Sequence, residues 1–210
     1  MKSAIIFDLD GTLLDTLGDL HTAVNHALTQ FGYPARTLEE VRRFVGNGAA
    51  QLITLSVPEY ADPAPVLAEF QLFYRENCRV QTGPYPGIMD ALAELGREYP
   101  VAIVSNKPDA AVKALCADFF PGIYARGESA DCPRKPAPDM VHAAMAALDT
   151  ETCVYVGDSE VDVVTARNAA VPCLSVLWGF RDRAELESAG AVHFCEFSHQ
   201  LVDKIKQLVS

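Results

Sequence analysis

Long apolar runs are scarce in this sequence of 210 residues. The first one, at residues 4–7, meets Asp8 at once and is too short for the apolar part of a signal peptide. No other run approaches the roughly 20 residues that a membrane-spanning helix needs. We therefore expect a soluble, cytoplasmic protein with no membrane partner.

Basic residues are also in short supply, with 17 lysines and arginines against 28 aspartates and glutamates, a net charge of -11. This balance argues against a broad surface for nucleic acids or anionic membranes. A small anionic substrate is compatible with it, because a bound metal ion can supply the local positive field. We expect no nucleic-acid partner and a monomer or a homodimer.

Paired cysteines are lacking as well. The six cysteines are scattered, with neither CxxC spacing nor a histidine at metal-ligand spacing. This pattern favours free thiols in a reducing compartment over a disulfide framework or a zinc site.

Apolar residues make up half of the chain, enough to bury a core. Short apolar runs that alternate with helix-length segments read as buried strands, at residues 4–7, 101–104, 153–156 and 173–177. Such alternation predicts βαβ units on a parallel sheet. The expected fold class is α/β, with a doubly wound, Rossmann-like core.

One long segment breaks the alternation. Residues 15–81 show helical periodicity, interrupted near Gly32, Gly46 and Pro63. We expect a small all-helical cap domain at 15–81, inserted after the first strand and packed over its carboxyl end. Residues 1–14 and 82–210 would form the α/β catalytic core.

An acid pair follows the first strand. Asp8 and Asp10 are two residues apart, so both carboxylates can face one cavity. Two carboxylates so close to each other require a shared proton or an intervening cation. Gly11 allows a sharp turn there, although a DxDG pattern alone is as often a plain acidic turn.

Polar residues follow the other strands too. Ser105, Asn106 and Lys107 come after the second run, where a hydroxyl and backbone amides can hold a phosphoryl oxygen. Lys135 lies between prolines before a helix start, a suitable position for neutralising anions. Alone, these would be turn residues and a surface lysine.

The third core run is followed by Asp158 and Asp162. Hard oxygen ligands of this kind suit Mg²⁺. Each acid alone could cap a helix. Four groups of polar residues, each following a strand, are better explained by one shared site than by separate turns and helix caps.

Together these motifs resemble, in order and context, those of the haloacid dehalogenase superfamily over nearly the whole chain, and the helical insert is similar to its small helical cap. The resemblance implies a Mg²⁺-dependent phosphatase, with Asp8 as nucleophile and Asp10 as general acid and then base. Asp8, the Asp10 carbonyl and Asp158 would hold the metal ion. Dehalogenases of the superfamily lack the second acid, so Asp10 favours phosphoryl transfer.

The same resemblance implies that Ser105 and Lys135 bind the phosphoryl group, assisted by Thr12 and Asn106 through hydrogen bonds. Asp162 would lie behind them, orienting Lys135 or a metal-bound water.

Within the superfamily, the cap sequence at residues 41–49 is similar to that of phosphoglycolate phosphatases, which implies a small phosphorylated metabolite, 2-phosphoglycolate, as substrate. We hypothesise that Arg43, Gly46, Asn47 and Gly48 read the leaving group, although the glycines could also be a helix break for packing. A hexose-phosphate mutase or pyrophosphatase on the same scaffold stays open. So does an inactive binding module, although such a module would be expected to lose a nucleophile or metal ligand.

Overall fold

A computed structural model describes residues 3–209. In chain order, its strands are β1 (Ala4–Phe7), β2 (Leu14–Asp15), β3 (Gly83–Pro84), β4 (Val101–Pro108), β5 (Tyr124–Glu128), β6 (Cys153–Gly157), β7 (Cys173–Val176) and β8 (Phe194–Cys195). Its α-helices are α1 (Leu17–Gln30), α2 (Leu38–Phe44), α3 (Gly48–Ser56), α4 (Pro63–Asn77), α5 (Ile88–Leu95), α6 (Asp109–Phe119), α7 (Asp139–Ala147), α8 (Glu160–Asn168), α9 (Arg183–Ala189) and α10 (Leu201–Val209). A 3-10 turn at Ser198–Gln200 precedes α10.

Within residues 3–209, six strands form a parallel sheet in the order β5-β4-β1-β6-β7-β8. The central strand β1 is fully buried, and its alternate side chains pack on opposite faces. Ile5 and Phe7 belong to the core formed with α5, α6 and α10, whereas Ala4 and Ile6 pack with α7 and α8. Helices therefore cover both faces, and the predicted doubly wound α/β fold is confirmed.

The carboxyl ends of the central strands meet at one edge of the sheet. Phe7 is in register with Ile103 of β4 and with Val156 of β6. The polar residues that follow each strand are thus brought together from distant parts of the sequence.

Two strands of the core sheet, β5 and β8, are not predicted by the sequence pattern. Four of the five β5 residues are only partly buried, and β8 has just two residues. Short or half-exposed strands lack the continuous apolar run that marks a central strand. The second predicted strand is also longer than expected: β4 reaches Pro108, with an irregular register between Val104 and Pro108.

Helices α1–α4 occupy the segment in which helical periodicity was predicted, and the boundaries of a separate domain at 15 and 81 stay a prediction. The chain leaves and re-enters the core through an antiparallel pair, β2 with β3. Beside it, the buried Asp19 carboxylate accepts backbone N–H groups from Val80, Gln81 and Thr82 at 3.0, 2.9 and 2.9 Å. The two connections are therefore joined at the base of the helical segment.

The length and hydropathy of the helices show whether any of them could span a membrane. Over residues 3–209, no helix combines the length and apolar character needed to cross a bilayer.

Candidate active site

A cavity of about 800 Å³ lies between the carboxyl edge of the sheet and the helices α3 and α4. The sheet side contributes polar residues: Asp8, Asp10, Ser105, Asn106, Lys107, Lys135 and Asp158. The helical side is mainly apolar and includes Leu52, Phe70 and Tyr74. Charges on the sheet side therefore face a low-dielectric wall, where their interactions are stronger than in water.

Lys135 is the centre of the first charged group. Its Nζ lies 2.7 Å from Asp8 Oδ1 and 2.7 Å from Asp162 Oδ1. It also donates a 3.1 Å hydrogen bond to the Tyr155 hydroxyl, which in turn donates to Asp162 Oδ1 at 3.0 Å. The ammonium thus has three close acceptors, matching its three N–H donors.

Asp162 has its other oxygen occupied as well. Oδ2 accepts the hydroxyl of Ser159 at 2.6 Å and the backbone N–H of the same residue at 3.1 Å, at the start of α8. Burial disfavours a charge on Asp162, but Lys135 and the hydrogen bonds from Ser159 and Tyr155 outweigh it and lower its pKa. Asp162 is therefore an ionised acid that fixes the lysine in place.

Asp10 belongs to a second charged group. Its Oδ1 lies 2.7 Å from Lys107 Nζ, and its Oδ2 accepts a 3.4 Å hydrogen bond from the Ser105 hydroxyl. The same hydroxyl accepts the backbone N–H of Lys107 at 3.2 Å. The Lys107 ammonium also lies 4.8 Å from the ring centre of Tyr74, on α4. The two acids of the DxD pair are consequently held by two different buried lysines.

Asp158 lies at the end of β6, close to the turn after β1. Its Oδ1 accepts the Thr12 hydroxyl at 3.0 Å, and its Oδ2 accepts the backbone N–H of Phe180 at 2.7 Å. Gly11 has a φ of 82°, and a Cβ there would collide with the Asp158 carboxylate. Gly11 thus serves both the turn and the close approach of this acid. The Thr12 hydroxyl, predicted to assist phosphate binding, is directed to Asp158.

Burial sets the electrostatics of these acids. It raises the pKa of Asp8 well above its ordinary value, and the charges of Asp162 and Asp158 add to this effect against that of Lys135. Burial, followed by the charge of Asp162, raises the pKa of Asp158 to about 7. Asp8, Asp158 and Asp162 each place an oxygen within 4.8 Å of the others. This part of the cavity carries more acidic groups than its lysine can neutralise.

The loop that precedes α3 touches the sheet side of the cavity. Asn106 Nδ2 donates to the carbonyl of Gly46 at 3.1 Å and to that of Lys135 at 2.9 Å. Gly46 and Gly48 line the cavity. The loop between α2 and α3 is thereby connected to the predicted phosphate-binding residues.

Arg43 lies elsewhere. Its side chain is 71% exposed and pairs with Glu39 at 3.2 Å, outside the cavity lining. Asn47 precedes α3 and is outside the lining too. The structure does not bring either side chain to the acid pair, and their contact with a leaving group stays a prediction.

Three residues in or beside the site carry no predicted role: Lys107 and Tyr74 line the cavity, and Tyr155 is buried behind Lys135. The sequence marks Lys107 only by its position after a strand, and Tyr155 only as part of an apolar run. A lysine or a tyrosine within a buried strand end is a usable signal, because an unpaired polar group there would be costly. Tyr74 gives no such signal, since its helix reads as ordinary amphipathic packing.

The parallel sheet, the acid pair after its central strand and the buried lysines at its carboxyl edge define a hydrolase of the haloacid dehalogenase type. The model of the family described as haloacid dehalogenase-like hydrolase matches residues 5–176. The chain belongs to this family, and the family resemblance drawn from the four motifs is confirmed.

Individual relatives extend the similarity to nearly the full length. A phosphoglycolate phosphatase from Cereibacter sphaeroides is 34% identical over 98% of this chain and 99% of its own length. One from Rhodobacter capsulatus is 36% identical over 94% of each chain. A crystal structure of a protein from Lactobacillus delbrueckii subsp. bulgaricus matches with a TM-score of 0.92 and 36% identity, covering 98% of this chain and 99% of that one.

Proposed function

We propose that this chain is a Mg²⁺-dependent phosphatase that hydrolyses 2-phosphoglycolate to glycolate and phosphate through an aspartyl-phosphate on Asp8. The proposal rests chiefly on one observation: the two acids at the cavity are each paired with a different lysine. Asp8 is held by Lys135 and Asp10 by Lys107, both at 2.7 Å. The names of the full-length relatives support the choice of substrate.

In the first step, a carboxylate oxygen of Asp8 attacks phosphorus while the bond to the glycolate oxygen breaks. Asp10 gives a proton to that oxygen, so that the alcohol leaves in neutral form. Lys135 and the Ser105 hydroxyl offset the charge of the transferring phosphoryl group. Asn106, the next residue of β4, assists by holding the backbone of Lys135 and Gly46 through its side-chain amide. Asp162 keeps the Lys135 ammonium in place throughout.

In the second step, Asp10 takes a proton from water as the water attacks phosphorus, and the bond to Asp8 breaks. Inorganic phosphate leaves, and both acids return to their initial states. The two roles of Asp10 require a side chain that can reach the cavity; Asp10 lines it, and its side chain is 13% exposed.

The acid cluster fits a hard divalent cation. Carboxylate oxygens of Asp8 and Asp158 lie close enough to share one ion, and both side chains are buried. Asp162 is already saturated by Lys135, Tyr155 and Ser159. We infer that Asp8, the Asp10 carbonyl and Asp158 would hold Mg²⁺. When bound, the ion lowers the repulsion between a carboxylate and an anionic phosphate.

The substrate would enter between the sheet edge and the helical segment. We propose that the backbone at Gly46 and Gly48, which line the cavity, closes over the leaving group. Water exclusion by such a lid favours phosphoryl transfer over side reactions.

Phosphate release from 2-phosphoglycolate, measured with purified protein in Mg²⁺, tests this function. We expect turnover that depends on Asp8, and neither a stable phosphoenzyme nor an isomerised sugar phosphate when hexose phosphates are supplied. Turnover of hexose phosphates to their isomers without net phosphate release would contradict the proposal.

A further inference from the structure

The two buried lysines of the cavity differ in how fully they are used. Lys135 lies against Asp8, Asp162 and the Tyr155 hydroxyl, so its hydrogen-bonding capacity is filled by protein. For Lys107, the salt bridge to Asp10 is the one ion pair it forms within residues 3–209. Its side chain is 5% exposed. Beyond that pair, its ammonium contacts the side chain of Tyr74. Lys107 therefore brings a buried positive charge to the cavity, and of its three N–H donors at least one is left for a ligand.

The surroundings of Lys107 limit what that ligand can be. Tyr74 of the helical segment covers one side of the ammonium at 4.8 Å from the ring centre. Leu20, Phe70 and Cys78 line the same cavity, as do Arg75 and Arg79, which are exposed, unlike Lys107. An anion that reached Lys107 here would interact in a low-dielectric environment, whereas a neutral group would gain little.

The distances in the site allow this anion to lie next to the reacting oxygen. Asp10 must approach the ester oxygen to transfer its proton, at about 2.6 to 3.2 Å. The Lys107 ammonium is itself 2.7 Å from Asp10. A group bound to Lys107 at ordinary hydrogen-bond distance, about 2.9 Å, can therefore approach to within a few ångströms of the ester oxygen. A carboxylate attached to the carbon that carries the ester oxygen lies at such a distance from that oxygen.

We propose that Lys107 is a specificity-determining residue that binds the carboxylate of the leaving group. This inference rests on the proposed phosphatase function and deepens it. Asp10 and Lys107 then act as a matched pair: the acid serves the ester oxygen, and the lysine serves the carboxylate one carbon away. Good substrates are phosphate monoesters of short α-hydroxy acids.

The test compares two substrates of the same skeleton. In 2-hydroxyethyl phosphate, a neutral CH₂OH replaces the carboxylate of 2-phosphoglycolate. We expect the wild-type protein to have a kcat/KM at least about tenfold higher for 2-phosphoglycolate, the usual range for one hydrogen bond to a charged group being about ten- to hundredfold. Lys107→Met should remove most of this preference. A general loss from the unpaired Asp10 affects both substrates and cancels in the ratio.

Two further variants make the result interpretable. Lys107→Gln keeps a hydrogen-bond donor for Asp10 and guards against a failure of Lys107→Met to fold, and it should also lose the preference. Lys113→Met is the matched control, because Lys113 on α6 is 66% exposed and pairs with Asp109 away from the cavity. It should keep the wild-type ratio.

The outcomes separate this inference from the proposed function. If the wild type releases no phosphate from either substrate, the proposed hydrolysis of 2-phosphoglycolate is wrong. If the wild type is active but the substrate ratio is below about threefold, or is unchanged in both Lys107 variants, the phosphatase assignment survives and the role of Lys107 is wrong.

Discussion

Arg181 and Val45 join the core to the helical segment: the Arg181 guanidinium, which follows β7, donates a 2.7 Å hydrogen bond to the Val45 carbonyl at the end of α2. The same side chain reaches the carbonyl of Arg42 at 3.1 Å and the carboxylate of Glu160 at 2.7 Å. In return, Arg42 donates to the carbonyl of Gly179 at 2.9 Å. Arg181 is buried, and the positive charge lies at the carboxyl end of α2, where a cation is favoured.

Removing this connection should weaken closure of the helical segment. We expect Arg181→Met to lower kcat/KM about tenfold for 2-phosphoglycolate and for p-nitrophenyl phosphate alike, since closure precedes chemistry for both. Steady-state kinetics on the two substrates measure this.

Arg183→Met is the control for that variant. Arg183 lies two residues further on, is 43% exposed and pairs with Glu196 at the surface. It should behave as wild type. Activity of Arg181→Met within twofold of that control would show that the contact has no part in closure.

The base of the helical segment gives a stability prediction. Asp19→Ala would leave the backbone N–H groups of Val80, Gln81 and Thr82 without their acceptor. We expect the free energy of unfolding to fall by about 3 kcal/mol, because a buried unsatisfied donor costs about 1 to 3 kcal/mol. The donor of Thr82 is buried, whereas those of Val80 and Gln81 are part-buried and can find water. Urea unfolding measures it. Glu76→Ala, at an exposed position of α4, should change it by less than about 0.5 kcal/mol; equal values for the two variants would refute the role of Asp19.

Breaking the Lys135–Asp162 ion pair should lower both stability and activity. Asp162→Asn leaves a buried ammonium with less compensating charge, and breaking such pairs costs about 3 to 5 kcal/mol. The melting temperature should fall, and turnover should fall with it even at temperatures where the variant is folded. Glu151→Gln, which alters an exposed acid, should change neither. Full turnover by folded Asp162→Asn would mean that Lys135 needs no support.

Metal removal should affect both activity and stability. EDTA should abolish phosphate release, and Mg²⁺ should restore it. Because a ligand that binds only the folded state stabilises it, Mg²⁺ should raise the melting temperature of the wild type. The rise should be lost in Asp158→Asn. Full activity in chelator would contradict the assignment of Asp8 and Asp158 as ligands.

The central fold and the acid pair could be predicted from the sequence because both depend on local patterns. Buried strands such as β1 are continuous apolar runs, and chemistry at their carboxyl ends follows from the geometry of parallel sheets. The weaker pattern of β5, mostly half-buried, hid that strand.

Contacts between the core and the helical segment could not be predicted in this way. Lys107 and Tyr74 are far apart in sequence, and only the packing of α4 on the sheet edge brings them together. The partners of Arg181 are largely main-chain carbonyls, which every residue has, so no residue pattern reveals them. Arg43, by contrast, was an attractive candidate by type alone, and its helix turns it toward Glu39 and solvent.

The most direct test of covalent phosphoryl transfer is the turnover number of Asp8→Asn with 2-phosphoglycolate in saturating Mg²⁺, with its melting temperature measured in parallel. Asparagine fills the same space but is a far poorer nucleophile. We predict a folded protein with less than about one-thousandth of the wild-type rate, a loss of at least about 4 kcal/mol of transition-state stabilisation. A folded variant that keeps more than this would contradict a nucleophilic role for Asp8.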